Sequence, residues 1–414
     1  MNIYGIIILS ALLLEYLLSL FADLLNLRTL KSGLPKEFDG VYDSTTYEKS
    51  QAYTRTNTKF GIIESTFSLI VILIFWFLGG FNYLDLIVRE WQLGSIFTGL
   101  VYVGILVLVR SVLSLPFSIY STFVIEERFG FNKTTPKTFV LDIIKGLLLA
   151  AVLGGLLLMG ILALFEYAGT MAWLYCWIAA SLFTLFVQFI APTWIMPLFN
   201  KFTPLETGEL REAILAYAKS VNYSLQGVYM MDGSKRSSKS NAFFTGFGKN
   251  KRIALFDTLI QKHTAAELVA VIAHEIGHFK KKHIIQGMAI GILHIGVMFY
   301  LLSVFVTHQG LFEAFYMDNV SVYAGLLFFG LLFTPLEFLL SLAMNALSRK
   351  NEYEADKFAV ETTQHPESFI DALKKLSRDN LSNLTPHPFY VKMNYSHPPV
   401  VERIRAIKDL DFRL

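Results

Sequence analysis

Runs of apolar residues long enough to cross a bilayer recur seven times along the chain, at about 3–22, 61–81, 95–118, 141–165, 171–191, 284–306 and 322–346. The pattern predicts a mainly α-helical membrane protein with seven transmembrane helices. Between the fifth and sixth runs, residues 192–283 alternate apolar and polar positions in other ways. Leu205 to Val221 has helical periodicity, and Gly227 to Met231 has the pattern of a short strand. Asn241 to Phe247 and Arg252 to Phe256 form a predicted hairpin that turns through Gly248-Lys-Asn-Lys251. Thr264-Ala-Ala-Glu267 is a capping box ahead of Leu268, Val269, Val271 and Ile272, so a helix begins there. The expected organisation is a membrane region over 1–191 with five helices, a polar segment over 192–283, two further spans over 284–346, and a polar segment over 347–414.

Composition agrees with this pattern. The chain is 54% hydrophobic and only 17% charged, which fits an integral membrane protein that meets the lipid bilayer directly. The first run has no basic residue before it, contains Glu15 and lacks a small-residue cleavage site, so it is expected to be a retained helix. Basic residues set the orientation. Arg28, Lys31, Lys36, Lys49, Arg55 and Lys59 follow the first span, and Arg128, Lys133 and Lys137 follow the third, whereas the opposite loops hold only Arg89. The N-terminus is therefore expected outside, with 192–283 and 347–414 on the cytoplasmic side. Lys280-Lys-Lys282 fits a juxtamembrane anchor facing anionic lipid better than a nucleic-acid site. The single cysteine, Cys176, lies in an apolar run and excludes an intramolecular disulfide or a cysteine-based zinc site.

Candidate chemistry sits in the predicted capped helix, at His274-Glu-Ile-Gly-His278. Positions i and i+4 share a helix face, so His274 and His278 can hold one Zn²⁺ while Glu275 stands beside the position of a water, as a general base. A catalytic zinc site needs a third protein ligand and an open position. Glu352 is the best candidate, with Asp356 one turn further on to accept a hydrogen bond from a ligand imidazole. Both lie on the same predicted side of the membrane as the histidines. Gly277, costly inside a helix, implies that a strand or a substrate passes close by. Asn241 to Gly246 could present a strand edge to a peptide, and the same pattern also fits an ordinary hairpin packed on the helix. Glu64, Arg110 and Glu337 fall within spans and imply a polar interior. His397 and Arg403 could stabilise an oxyanion if the fold brought them to the metal. His263, His283, His294, His308, His365 and His387 are assigned no role. A seven-span transporter or receptor with a structural zinc remains an alternative, although a structural site would normally be closed by a fourth protein ligand.

Several longer segments resemble the integral-membrane zinc endopeptidases called CAAX prenyl protease type I. They are Tyr47-Glu-Lys-Ser-Gln-Ala-Tyr-Thr-Arg55, Phe123-Val-Ile-Glu-Glu-Arg-Phe-Gly-Phe-Asn132, Pro197-Leu-Phe-Asn-Lys-Phe-Thr-Pro204, Ser234-Lys-Arg-Ser237 with Asn241-Ala-Phe-Phe244, the histidine and glutamate motifs, and the Ser396-His-Pro398 to Arg403 ending. The resemblance is to a shorter, prokaryotic-looking member. It implies seven helices enclosing a water-filled chamber, capped by a small α+β, gluzincin-like protease domain. It also implies one zinc on His274, His278 and Glu352, with Glu275 as base, and His397 and Arg403 contacting substrate or oxyanion. Asn241, Ala242, Phe243 and Phe244 become a substrate-binding strand. The expected partner is a peptide or protein, lipidated where the substrate is a C-a-a-X protein; a membrane-protein quality-control protease would use the same machinery without the lipid. Phe412-Arg-Leu414 is not an ER-retention ending. The expected location is the cytoplasmic membrane in a prokaryote or the ER membrane in a eukaryote.

Overall fold

Seven helices are long and apolar enough to cross a membrane: Ile3–Thr29, Ser44–Phe77, Ser95–Glu126, Pro136–Tyr167, Gly169–Leu198, His283–Phe305 and Val322–Thr363. The structure is a computed structural model describing residues 1–30, 33–225, 227–245 and 252–410, without the side chains of 243–245. Lys31, the Gly248–Lys251 turn with Gly246 and Phe247, and the Phe412–Leu414 ending lie outside the described residues. Several spans outrun their apolar runs because polar residues continue the helix. The second begins at Ser44, where Asp43 accepts a hydrogen bond from the Thr46 amide at 2.7 Å. It ends before the expected boundary at 81, since Gly79 turns left-handed (φ +70°) and starts the separate helix Gly80–Glu90.

The seventh span is the scaffold of the site. Its 42 residues rise about 63 Å at 1.5 Å each, roughly twice the hydrocarbon thickness. The C-terminal half therefore continues beyond the membrane and carries Glu352 and Asp356 away from lipid.

Two large cores, with a smaller cluster of Ile125, Phe129, Phe131 and Leu381 beside them, hold the described chain together. One joins the spans at a single end of the bundle, where Trp76, Tyr102, Leu162, Cys176, Leu302 and Phe328 meet. Packing there is close: a Cβ on Gly325 would come within 2.0 Å of the Val306 carbonyl oxygen. The other core lies at the opposite end, where Ile253, Leu255, Ile272, Ile276, Ala359 and Phe369 bring the sheet and the polar-segment helices onto the extension of the seventh span. Over their most apolar stretches the spans cover one another little, with only 6–22% of each such window buried. A solid bundle would bury a full stripe of every helix. The spans stand around an open interior, like staves closed at both ends. Glu337 of the seventh span meets His294 of the sixth at 3.0 Å, whereas Arg110 forms no ion pair among the described residues.

The polar segment folds into a four-stranded sheet of β1 (Phe202–Pro204), β2 (Gly227–Met231), β3 (Ala242–Thr245) and β4 (Arg252–Phe256), in the order β1-β2-β4-β3. β2 runs parallel to β4, and β3 pairs antiparallel with β4, which places β3 at the edge. The Gly227–Met231 strand is present, and β3 and β4 pair antiparallel as the two arms of the expected hairpin, whose turn lies outside the described residues. The helix anticipated over Leu205–Val221 is shorter, Glu209–Ser220, because Phe202–Pro204 pairs as β1 and Leu205 hydrogen-bonds to Val228 instead.

Candidate active site

The motif helix spans Ala265–Lys280 and begins as its capping box predicts. Thr264 Oγ1 accepts from the Glu267 amide at 3.3 Å, and Glu267 Oε2 accepts from the Thr264 amide at 3.1 Å. The helix packs along the seventh span with Gly277 against Ala355. A Cβ there would lie 3.1 Å from both the Ala355 Cα and its carbonyl oxygen. The expectation that a strand or substrate needs this glycine is thereby corrected: the neighbour is a helix. That close approach brings the two histidines against Glu352.

His274, His278 and Glu352 form one cluster able to hold a metal ion. The Nε2 atoms of the two imidazoles are 3.2 Å apart. Glu352 Oε1 lies 3.2 Å from His278 Nε2, and Oε2 lies 3.4 Å from His274 Nε2. Tetrahedral bonds of about 2.0–2.1 Å to a zinc ion put ligand atoms about 3.3–3.4 Å apart, so the triangle has the size of such a site. Glu352 is buried, and among the described residues its Oε2 forms no hydrogen bond, its nearest cationic or imidazole nitrogens standing 3.4 Å away. A buried carboxylate whose two oxygens each face an imidazole nitrogen, one of them without a hydrogen bond, fits a cation.

The surroundings support the triangle. His274 donates through Nδ1 to Asp356 Oδ1 at 2.8 Å, so Nε2 is the nitrogen turned toward the metal position, able to ligate once its proton is lost. Arg403 holds Asp356 with two parallel hydrogen bonds, Nε to Oδ2 at 2.8 Å and Nη2 to Oδ1 at 2.5 Å. Its Nη1 lies 3.4 Å from Glu352 Oε2. Arg403 is buried behind the ligands, with its fork committed to Asp356, and it does not line the cleft. His397 does line the cleft, exposed, with Nε2 3.3 Å from Glu352 Oε1 and Nδ1 2.9 Å from Ser396 Oγ. Burial pulls the His274 pKa down, but hydrogen bonds to Asp356 and Glu352 outweigh it and raise it to about 9.

The cleft has a volume of about 470 Å³, and Ala242, Glu275 and Asn351 line it with the ligands. β3 leads into it from one wall. Ala242, the first residue of this edge strand, lines the cleft, while the side chains of Phe243 and Phe244 lie outside the described residues. His283, given no role from the sequence, proves to be a neighbour of the site. Its Nδ1 is 3.1 Å from His278 Nδ1.

Two imidazoles and a carboxylate from two helices, with an acid at the open side, have the donor set of a metallopeptidase. Residues 23–201 match the family described as the CAAX prenyl protease N-terminal part with five membrane helices, and residues 204–411 match peptidase family M48. The chain belongs to peptidase family M48. It is a multi-pass membrane metallopeptidase. It is 39% identical to a CAAX prenyl protease 1 homolog of Arabidopsis thaliana, over 96% of this chain and 95% of that protein. Identity to the CAAX prenyl protease 1 of Saccharomyces cerevisiae is 35%, over 91% and 89%. The crystal structure of S. mikatae Ste24p superposes with a TM-score of 0.91 at 34% identity, covering 98% of this chain and 99% of that one. A seven-span transporter or receptor is set aside by these matches.

Proposed function

We propose that this protein is a zinc endopeptidase that trims prenylated C-a-a-X proteins near their C-termini, with its active site on the cytosolic side. The observation that carries the zinc assignment is the triangle of ligand atoms 3.2–3.4 Å apart on His274, His278 and Glu352. Zinc held there supplies Lewis acidity, lowering the pKa of water and polarising a carbonyl. Glu275, in the cleft beside the triangle, takes a proton from the attacking water as its oxygen bonds to the carbonyl carbon. The same carboxyl returns that proton to the amine nitrogen as the C–N bond breaks. His397 donates to the developing oxyanion from the exposed side. Arg403 and Asp356 keep the His274 ring in one orientation, so Arg403 acts through His274 rather than on the substrate. The β3 edge, from Asn241 to Phe244, holds the peptide by main-chain hydrogen bonds that do not depend on its side chains.

The basic loops that orient the spans support the cytosolic placement. The names of the relatives support the prenylated substrate, which a direct comparison tests. Purified protein is incubated with a farnesylated C-a-a-X peptide and its unprenylated twin, with and without chelator. Chelator-sensitive cleavage of the farnesylated peptide alone is expected. Equal cleavage of both would replace the prenyl requirement with a general membrane-protein protease. In the same assay Glu275→Gln keeps its metal and loses about 10²–10⁴-fold in rate; wild-type turnover would remove Glu275 from the base role.

A further inference from the structure

We propose that His283 is a positioning residue for the metal site, the middle member of a relay Glu354–His283–His278 that fixes the tautomer and ring orientation of His278. The inference rests on the metal-site reading and adds the second half of its support. His274 has Asp356 at its Nδ1; among the described residues His278 has no carboxylate there and meets an imidazole instead. His283 Nδ1 lies 3.1 Å from His278 Nδ1, on the side of the ring away from the ligating Nε2. That placement excludes His283 as a fourth ligand.

The tautomers follow from one requirement. A metal on His278 Nε2 leaves the ring proton on Nδ1, so Nδ1 donates and His283 Nδ1 must accept. The His283 proton then sits on Nε2, which lies 3.2 Å from Glu354 Oε2, a carboxylate that only accepts. Every donor in the chain thus meets an acceptor. His283 is buried, so no bulk water replaces it, whereas Glu354 reaches partly into solvent with Lys350 at 3.8 Å.

The backbone builds this contact at a cost. Five residues along an uninterrupted helix turn the chain by about 500°, which would point His283 roughly 140° away from His278. The motif helix instead stops at Lys280, and Lys282 adopts a left-handed conformation (φ +63°) before the sixth span begins at His283. A lysine in that region is disfavoured. The turn brings the first residue of a membrane span back onto a metal ligand.

The test compares His283→Leu and His283→Asn with the wild-type full chain in detergent. Leucine fills space without accepting a hydrogen bond, and asparagine places its Oδ1 near the position of Nδ1. Zinc affinity is measured by chelator competition, and the electronic spectrum is recorded on the cobalt-loaded protein. H283L is expected to bind zinc about 10–100-fold more weakly with a shifted cobalt spectrum, and H283N to remain within a few-fold of wild type with its spectrum unchanged. Wild-type affinity in H283L, or an equal loss in both variants, would overturn the relay and leave His283 a packing residue. Melting the metal-free proteins alongside separates loss of fold from loss of support; if H283L fails to fold, H283N decides. A wild-type protein that bound no zinc would instead refute the metal-site reading itself.

Discussion

Around His274 four charged or ionisable side chains share one buried volume: Glu352, Asp356, Arg403 and the imidazole itself. Such a cluster holds only if charges balance, because an unpaired buried charge costs several kcal/mol. Two carboxylates outnumber one guanidinium, and in the absence of metal the imbalance falls on His274, whose pKa rises to about 9. A histidine whose folded pKa exceeds its ordinary value of about 6.5 stabilises the fold fully below that value. The stabilisation is lost as pH rises through about 9. Metal-free protein should therefore show a falling melting temperature from pH 6.5 to 9, while zinc affinity increases over the same window as the competing proton leaves. Thermal melts in chelator across that range check the sign; a melting temperature that rises from 6.5 to 9 would remove His274 as the dominant titrating group.

Where helices meet, contact geometry decides what sequence spacing alone could not. The i, i+4 histidines, the capping box and Glu352 with Asp356 were legible because each depends on positions within one helix. Three features were not. The reason for Gly277 lies on a different helix, about 78 residues further along the chain. β1 is three residues long, too short for a period, and His283 depends on a left-handed turn that a lysine does not announce. The Gly277 contact leads to a specific outcome. Alanine improves helix propensity by about 1 kcal/mol, yet its Cβ would press on the Ala355 backbone at 3.1 Å, where overpacking costs about 1–3 kcal/mol. Because the obstacle is main chain of a packed helix, the overpacking wins. Gly277→Ala should lower stability by about 1 kcal/mol and weaken zinc binding, since relief moves His274 and His278 away from Glu352. Chelator competition distinguishes this from a surface helix effect: unchanged zinc affinity would mean that the two helices tolerate the shift.

For the whole molecule, the two cores at opposite ends of the spans imply what fills the space between them. Apolar runs predicted seven helices but could not show that they stand apart, because a lipid-facing stripe and a cavity-facing stripe are both written in apolar residues. The ionisable residues in the spans carried the signal. Glu337 is half-exposed and pairs with His294 across the sixth and seventh spans, and a carboxylate left in hydrocarbon would be costly. An interior that holds water accounts for its exposure. Glu337→Cys makes this testable, since the sole native cysteine, Cys176, is buried and gives a low background. In detergent-free proteoliposomes the variant should react with a charged, membrane-impermeant maleimide, and the parent protein should not. Labelling should also slow when a substrate peptide occupies the cleft, if the interior opens to solvent past the metal site. An unlabelled Glu337→Cys would mean that the spans close into a solid bundle, and a metallopeptidase at its tip would then have to take substrate from the cytosolic surface alone.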